Sequence, residues 1–222
     1  MAKRKFWLAS NSPRRKEMFT WVNWDWGACA PNIDESQRAG EPAQEYVVRL
    51  AAEKANSPIP GVHENDIVIA ADTIVVLDGA ILGKPVDAEQ AVEMLTLLRG
   101  RDHLVMTAVA VCNMGHVVLQ KDLCKTSVRM RSYTDQEITR YVSSGDSRDK
   151  AGAYAIQNEN FHPVVGFNGC YSSVMGMPLC HLERTLRKSP EYDPRDLACI
   201  CQNHLKYTCP ITKRVMAGEE IG

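Results

Sequence analysis

Hydrophobic positions along the chain switch repeatedly between the two-residue alternation of strands and the three-to-four spacing of helices. Residues 6–9 form a short apolar run that reads as a strand, broken by Asn11-Ser12-Pro13. Ser12 suits a helix N-cap and Pro13 the first helical position, so a helix is expected through about Phe19. Trp24 and Trp26 alternate with polar neighbours, as on a strand. Tyr46, Leu50 and Lys54 recur at four-residue steps and define one face of a helix over residues 43–55. Residues 67–71 read as a buried strand, and Asp78-Gly79 as the turn of a hairpin joining 74–77 to 81–82. Asp87 with Gln90 resembles a capping box. Ala91, Leu95 and Leu98 give the helix that follows an apolar face, and Gly100 ends it. Two long strands, 103–112 and 116–131, are expected around a turn at Asn113-Met114-Gly115. Thr134 with Glu137 forms a second capping box, Ile138, Tyr141 and Val142 the apolar face behind it, and Gly145 the stop. Residues 149–157 are mixed, with Gln157 at the end of a strand-like run. A Gly-rich loop is expected at 166–169 and a helix over 178–187. Strands and helices alternating in this way argue a mixed α/β domain.

Composition narrows the reading. The chain has 222 residues, 45% hydrophobic and 24% charged, which excludes disorder, collagen-like repeats and coiled coil as the main state. The formal net charge of −1 gives no global basic field, so nucleic acid is not an expected partner and any anion site must be built locally. Apolar runs such as 104–112 fall well short of the ~20 residues of a membrane span. Behind Lys3, Arg4 and Lys5 only residues 6–9 are apolar, too few for a signal-peptide core, so a cytoplasmic protein is expected. Among eight cysteines, Cys29, Cys112, Cys124 and Cys170 are scattered and read as reduced, buried thiols. Ser189-Pro190 and Asp193-Pro194 mark a linker into a tail. There Cys199, Cys201, His204 and Cys209, with Cys180-His181 upstream, allow zinc binding, a disulfide or free thiols. The C-x-C pair is not standard zinc-finger spacing. A helix over 196–201 is expected to pack on the core. Trp21, Trp24 and Trp26 read as core or dimer packing.

Several residue groups can carry chemistry. In Ser10-Asn11-Ser12-Pro13-Arg14-Arg15 a strand turns into a helix N-terminus, where unpaired backbone N–H groups face the turn. Two arginines at the positive end of a helix dipole are disfavoured by a few tenths of a kcal/mol each. That cost points to a bound anion, phosphate above all, with a solvated surface turn as the alternative. Asp72, at the end of the buried strand, can bind a hard cation or act as general base, or simply cap a turn. Asp34-Glu35 can add a second carboxylate to such a site, or form an acidic surface loop. Lys54 and Lys84 taken singly are surface lysines. The Gln157 amide can read a base edge. There is no Walker A sequence, no G-x-S-x-G elbow and no H-E-x-x-H, so activated-serine hydrolysis is poorly supported.

Six segments occur in a telling order: LASNSPRR (8–15), NIDE (32–35), AAEKA (51–55), IAADTIVVLDGAILGKP (69–85), AGAYAIQ (151–157) and GCYSSVMGMPL (169–179). Together they resemble the Maf family of nucleotide pyrophosphatases. The resemblance implies an elongated, two-lobed α/β domain over residues 1–188 with a central twisted mixed sheet and flanking helices, similar to inosine-triphosphate pyrophosphatases. Residues 189–222 would then be a Cys-rich extension packed on it. It implies cleavage of a nucleoside triphosphate to the monophosphate and pyrophosphate with a divalent metal, Mg²⁺ or Mn²⁺. Asp72 matches the family's proton acceptor. Arg14, Thr73 and Gln157 match positions tied to substrate choice, in the pattern of the branch acting on dTTP and UTP, with modified pyrimidine nucleotides as a further substrate class. Ser10, Arg14, Arg15, Lys54, Thr73, Lys84 and Gln157 are then expected to hold the substrate, and Glu35 with Asp72 the metal. Two residues depart from the family pattern: Asn158 stands where glycine is frequent, and Ser173 where asparagine is common. Both fall near the presumed base or cleft side, so the exact substrate is less constrained than the reaction. Homodimerisation is an expectation from the fold type alone. The competing class is a non-catalytic, nucleotide-sensing regulator of cell division. It predicts loss of a charged site residue, yet Glu35, Lys54, Asp72 and Lys84 are all present.

Overall fold

The computed structural model describes residues 4–113, 118–189, 192 and 195–222. The expected turn at Met114-Gly115 and the linker residues Pro190, Asp193 and Pro194 lie outside the described residues. Seven strands among those described share one sheet: β1 (Phe6–Leu8), β2 (Trp26–Ala28), β3 (Ile67–Leu77), β4 (Ala80–Leu82), β5 (Asp102–Asn113), β6 (Val118–Met130) and β7 (Val164–Asn168). They run in the order β2-β1-β3-β5-β6-β7, with β4 paired to β3. β1 is parallel to both β2 and β3, while β3, β5, β6 and β7 pair antiparallel, so the sheet is mixed. The helices are α1 (Pro13–Trp21), α2 (Ala43–Asn56), α3 (Ala88–Leu98), α4 (Asp135–Ser143), α5 (Tyr171–Met175), α6 (Leu179–Leu186), α7 (Leu197–Leu205) and α8 (Thr212–Met216). Asp87 caps α3 by accepting from the Gln90 amide, and Thr134 and Glu137 close a full capping box on α4.

Alternation along β3 sorts the core into two faces. Ile67, Ile69 and Ala71 pack with Met18 and Phe19 of α1 and Leu182 of α6. Val68, Ala70 and Ile74 pack with Val47 and Ala51 of α2. Helices α3 and α4 cover the far ends of β3, β5 and β6 through Leu95, Leu98 and Ile138. The hairpin at Asp78-Gly79 forms as expected, both residues taking positive φ (51° and 84°), the type I′ geometry that matches strand twist.

Four local expectations need correction. β3 runs unbroken through Asp72, which therefore sits mid-strand and not at a strand end. A strand buried on both faces shows no polar/apolar alternation, so a single buried Asp looks like its terminus. Residues 166–169 are not a loop: Gly166 and Asn168 belong to β7, which pairs with β6 at the edge of the sheet among the described residues. Gln157 lies in a turn, not on a strand. Trp24 precedes β2, which begins at Trp26, and is buried by stacking on Phe6 with ring centroids 4.1 Å apart.

The tail helix α7 spans Leu197–Leu205, longer than expected. Leu197 and Cys201 enter the main core, and His204 stacks on Trp21 of α1 at 4.8 Å. Arg184 of α6 pairs with Asp122 at 2.7 Å and donates to the Val215 and Glu219 carbonyls, which ties α8 down. All eight cysteines are free thiols.

Candidate active site

The sheet has a gap on one edge, and the gap makes a cleft. β1 pairs with Ile67–Ile69 and β4 with Val75–Leu77, on the same side of β3. Between those two registers the strand edge at residues 70–74 is left open to a cavity of about 490 Å³. Asp72 and Thr73 sit in that window. Being consecutive on a strand, they point to opposite faces. Asp72 meets α2 and Thr73 meets α1.

On the α2 face, Lys54 ends its helix with a buried ammonium, a favourable place for a cation near the helix C-terminus. Its Nζ lies 2.5 Å from Asp72 Oδ1 and 2.7 Å from Glu35 Oε1. About two turns earlier, Tyr46 donates its hydroxyl to the Glu35 carbonyl at 2.7 Å and holds that loop in place. Burial raises the pKa of Glu35, but Lys54, assisted by Lys84 and Arg15, outweighs it and keeps the group below its ordinary value. Asp34 turns away into a local hydrogen-bonded turn with Ser36.

On the α1 face, Arg15 is half-buried and satisfied by protein groups. Nε donates to the Gly176 carbonyl at 2.8 Å, Nη1 to Ser10 Oγ at 3.3 Å and Nη2 to Thr73 Oγ1 at 3.0 Å. Gly176 has φ +113°, a backbone conformation suited to glycine. A Cβ there would stand 3.3 Å from Arg15 Nε. Thr107 donates to the Ser173 carbonyl at 2.8 Å and lies 3.0 Å from Thr73 Oγ1, extending the same network. Arg14 differs. Its Nε donates to the Met175 carbonyl at 3.2 Å, but Nη1 is buried without a hydrogen-bond partner, 3.9 Å from Asp149 Oδ2. The first-turn arginines of α1 are thus held by the last carbonyls of α5, which offsets the dipole cost noted from sequence.

Eight of the expected site residues line the cavity: Ser10, Arg14, Arg15, Glu35, Lys54, Asp72, Thr73 and Lys84. Gln157 does not, and its Oε1 is buried and unpartnered. Sequence reasoning passed over Asp149, Lys150 and Tyr154, which also line the cavity. Lys150 is buried between Asp146 (2.8 Å) and Asp149 (2.6 Å). Its signal was the acid four residues before it, the spacing of a helical ion pair. Five cationic side chains, those of Arg14, Arg15, Lys54, Lys84 and Lys150, face three carboxylates in the cavity wall. A chain of near-zero net charge has therefore built a locally positive pocket.

No three His, Cys, Asp or Glu side chains among the described residues are grouped to hold a metal ion. Glu35 and Asp72 nevertheless bring two carboxylates within hydrogen-bond distance of one ammonium. Two hard oxygen donors with phosphate and water completing the shell is the usual mode of Mg²⁺. The donor set fits such an ion.

Fold and cleft together define a class: a mixed α/β protein with a cationic pocket, centred on paired carboxylates, at a break in its sheet edge. Residues 5–189 match the family described as Maf-like protein, and the chain belongs to that family. It is 46% identical over 193 residues to the dTTP/UTP pyrophosphatase of Shewanella denitrificans, covering 84% of this chain and 96% of the relative. It is 47% identical over 173 residues to the dTTP/UTP pyrophosphatase of Salmonella typhimurium (78% and 87% covered). With the dTTP/UTP pyrophosphatase of Caldanaerobacter subterraneus subsp. tengcongensis the identity is 41% over 184 residues (83% and 88%). A Ham1 protein from Staphylococcus aureus superposes at a TM-score of 0.42 and 14% identity, over 91% of this chain and 98% of that one, a distant likeness without functional weight. No helix among the described residues is long and apolar enough to cross a membrane.

Proposed function

We propose that the protein hydrolyses nucleoside triphosphates of the dTTP/UTP type to the monophosphate and pyrophosphate. The observation that carries this reading is the Glu35–Lys54–Asp72 triad set in the sheet-edge gap, beside the arginines of α1. Identity of 41–47% to relatives named dTTP/UTP pyrophosphatase supports the same activity. A triphosphate carries about four negative charges, and the five cations of the wall complement it.

Asp72 acts as general base. Lys54 holds Oδ1, and Oδ2 takes the proton from a water that attacks the α-phosphorus. The new bond is water oxygen to phosphorus, and the bond to the bridging oxygen breaks. Pyrophosphate leaves with its charge met by Lys84. Fixed charges that need no reorganisation during the reaction are usually the largest catalytic term. Glu35 and Asp72 would hold Mg²⁺ or Mn²⁺, which when bound neutralises phosphate charge.

On the base side, Arg14 Nη1 is an unused donor and Gln157 Oε1 an unused acceptor. Thymine and uracil present carbonyls flanking one N–H, which such a pair can meet. The experiment is pyrophosphate release from a panel of nucleoside triphosphates, each with Mg²⁺, Mn²⁺ or EDTA. Metal-dependent turnover of dTTP and UTP with purines poor is the expected result. Preference for purines or 7-methyl-GTP overturns the base assignment, and no turnover of any nucleotide overturns the enzymatic reading in favour of a nucleotide-sensing regulator.

A further inference from the structure

Gln157 lies in a turn built around the residue that follows it. Asn158 Oδ1 accepts from the backbone amides of Asn160 (3.1 Å) and Phe161 (2.8 Å), and the Asn158 amide donates to the Ala155 carbonyl (3.1 Å). Its other side-chain atom faces outward from the turn: Nδ2 donates to Asp146 Oδ2 at 3.0 Å. Asp146 Oδ2 also accepts from the Tyr141 hydroxyl at 3.0 Å, and Oδ1 pairs with Lys150 at 2.8 Å. Lys150 pairs in turn with Asp149, whose Oδ2 faces Arg14 Nη1 at 3.9 Å. Tyr141 stacks on Phe161 at 4.4 Å, so the far end of the turn is pinned to the same helix. A single polar chain therefore joins the Gln157 turn to Arg14, and both ends carry a buried polar atom without a partner, Gln157 Oε1 and Arg14 Nη1.

We propose that Asn158 is a positioning residue for nucleobase choice: through Asp146, Lys150 and Asp149 it fixes the Gln157 turn relative to Arg14. The inference rests on the pyrimidine triphosphate reading above. A glycine at this position would supply neither half of the link, so the bond to Asp146 is a feature of this chain's own sequence.

The test compares kcat/KM for UTP and CTP, which share ribose and triphosphate and differ only at the base edge. Asn158→Asp keeps the oxygen that organises the turn and sets a carboxylate against Asp146. It is expected to lower the UTP:CTP ratio about tenfold, mostly through KM for UTP, the scale of one hydrogen bond to a charged group. The double variant Asn158→Asp/Asp146→Asn exchanges donor and acceptor and is expected to restore the ratio to within about threefold. A purely structural role would depress both substrates alike and would not respond to the exchange. Should Asn158→Asp melt out, Asn158→Ala carries the same expectation. A ratio unchanged in Asn158→Asp and Asn158→Ala, or a wild-type protein that turns over both nucleotides equally, overturns the inference while leaving the pyrophosphatase reading intact. Turnover of neither nucleotide by the wild type overturns both.

Discussion

The two halves of the cleft are finished to different degrees. In the half formed by α2 and β3, Lys54 is closed on Glu35 and Asp72, and nearby Arg15 has a protein partner for each of its three nitrogens. In the half formed by the 146–162 segment and the outer face of α1, Arg14 Nη1 and Gln157 Oε1 are buried with nothing to bond. An unsatisfied buried polar atom costs about 1–3 kcal/mol. For Arg14, which lines the cavity, a bound ligand can supply the missing partner. The difference teaches that the reacting groups are assembled before substrate arrives, whereas the recognition groups are completed by it.

The sharpest way to break the first half is Asp72→Asn. The side-chain volume is kept, Glu35 still neutralises Lys54, and only the proton-accepting oxygen is lost. We expect kcat to fall at least about 100-fold with a thermal midpoint within a few degrees of wild type. Near-normal turnover would remove Asp72 from the role of base.

The arginine pair tests the contrast directly, since the two residues are adjacent and differ in what they bond. Arg15→Lys removes the fork that reaches Gly176, Ser10 and Thr73 together, and a lysine cannot span all three. The expected result is a loss of about 3 kcal/mol in stability by urea titration. Arg14→Lys gives up one bond to the Met175 carbonyl and an unused nitrogen. It is expected to cost less than about 1 kcal/mol in stability yet raise KM about tenfold. Equal effects on stability would mean that the two halves are not differently prepared.

The sequence carried most of the catalytic half because that half is built from short, regular devices. Lys54 shares a helix face with Tyr46 and Leu50 at four-residue spacing, and all three line the cavity. The Ser12-Pro13 start of α1 places Arg14 and Arg15 in the first turn. What stayed illegible depended on tertiary pairing. That Asp72 lies in an open window of β3 follows from β1 stopping at Leu8, opposite Ile69, and β4 ending at Leu82, opposite Val75, a gap made by three strands at once. The recognition half is legible only in fragments: the buried Lys150 depends on its pairs with Asp146 and Asp149, and the turn at Gln157 is fixed by contacts to Asp146 and to Tyr141 of α4. The five-residue helix α5, whose carbonyls hold both arginines, is too short to announce itself by periodicity.

The smallest effect concerns the wall behind the recognition half. His103 Nε2 lies 2.7 Å from the hydroxyl of Tyr154, which lines the cavity, and burial brings the imidazole down from 6.5 to about 4. The folded state therefore refuses a proton that the unfolded chain accepts at about pH 6.5. Stability from this group is present above that value and is lost as pH falls through the window toward 4. Between pH 7 and 5 the loss is about 2 kcal/mol. Asp146, Asp149 and Glu35 are depressed too, so their contributions are full above the ordinary carboxylate range and fade as pH falls into and below it, mostly beneath the pH 5 endpoint. His181, also lowered by burial, titrates in the same direction and remains as background. His103→Gln keeps a partner for Tyr154 but cannot titrate. Urea titrations of wild type and variant at pH 7 and pH 5 should therefore diverge, with the variant losing about 2 kcal/mol less. Parallel losses would show that the wall of the recognition half is not held by a neutral histidine.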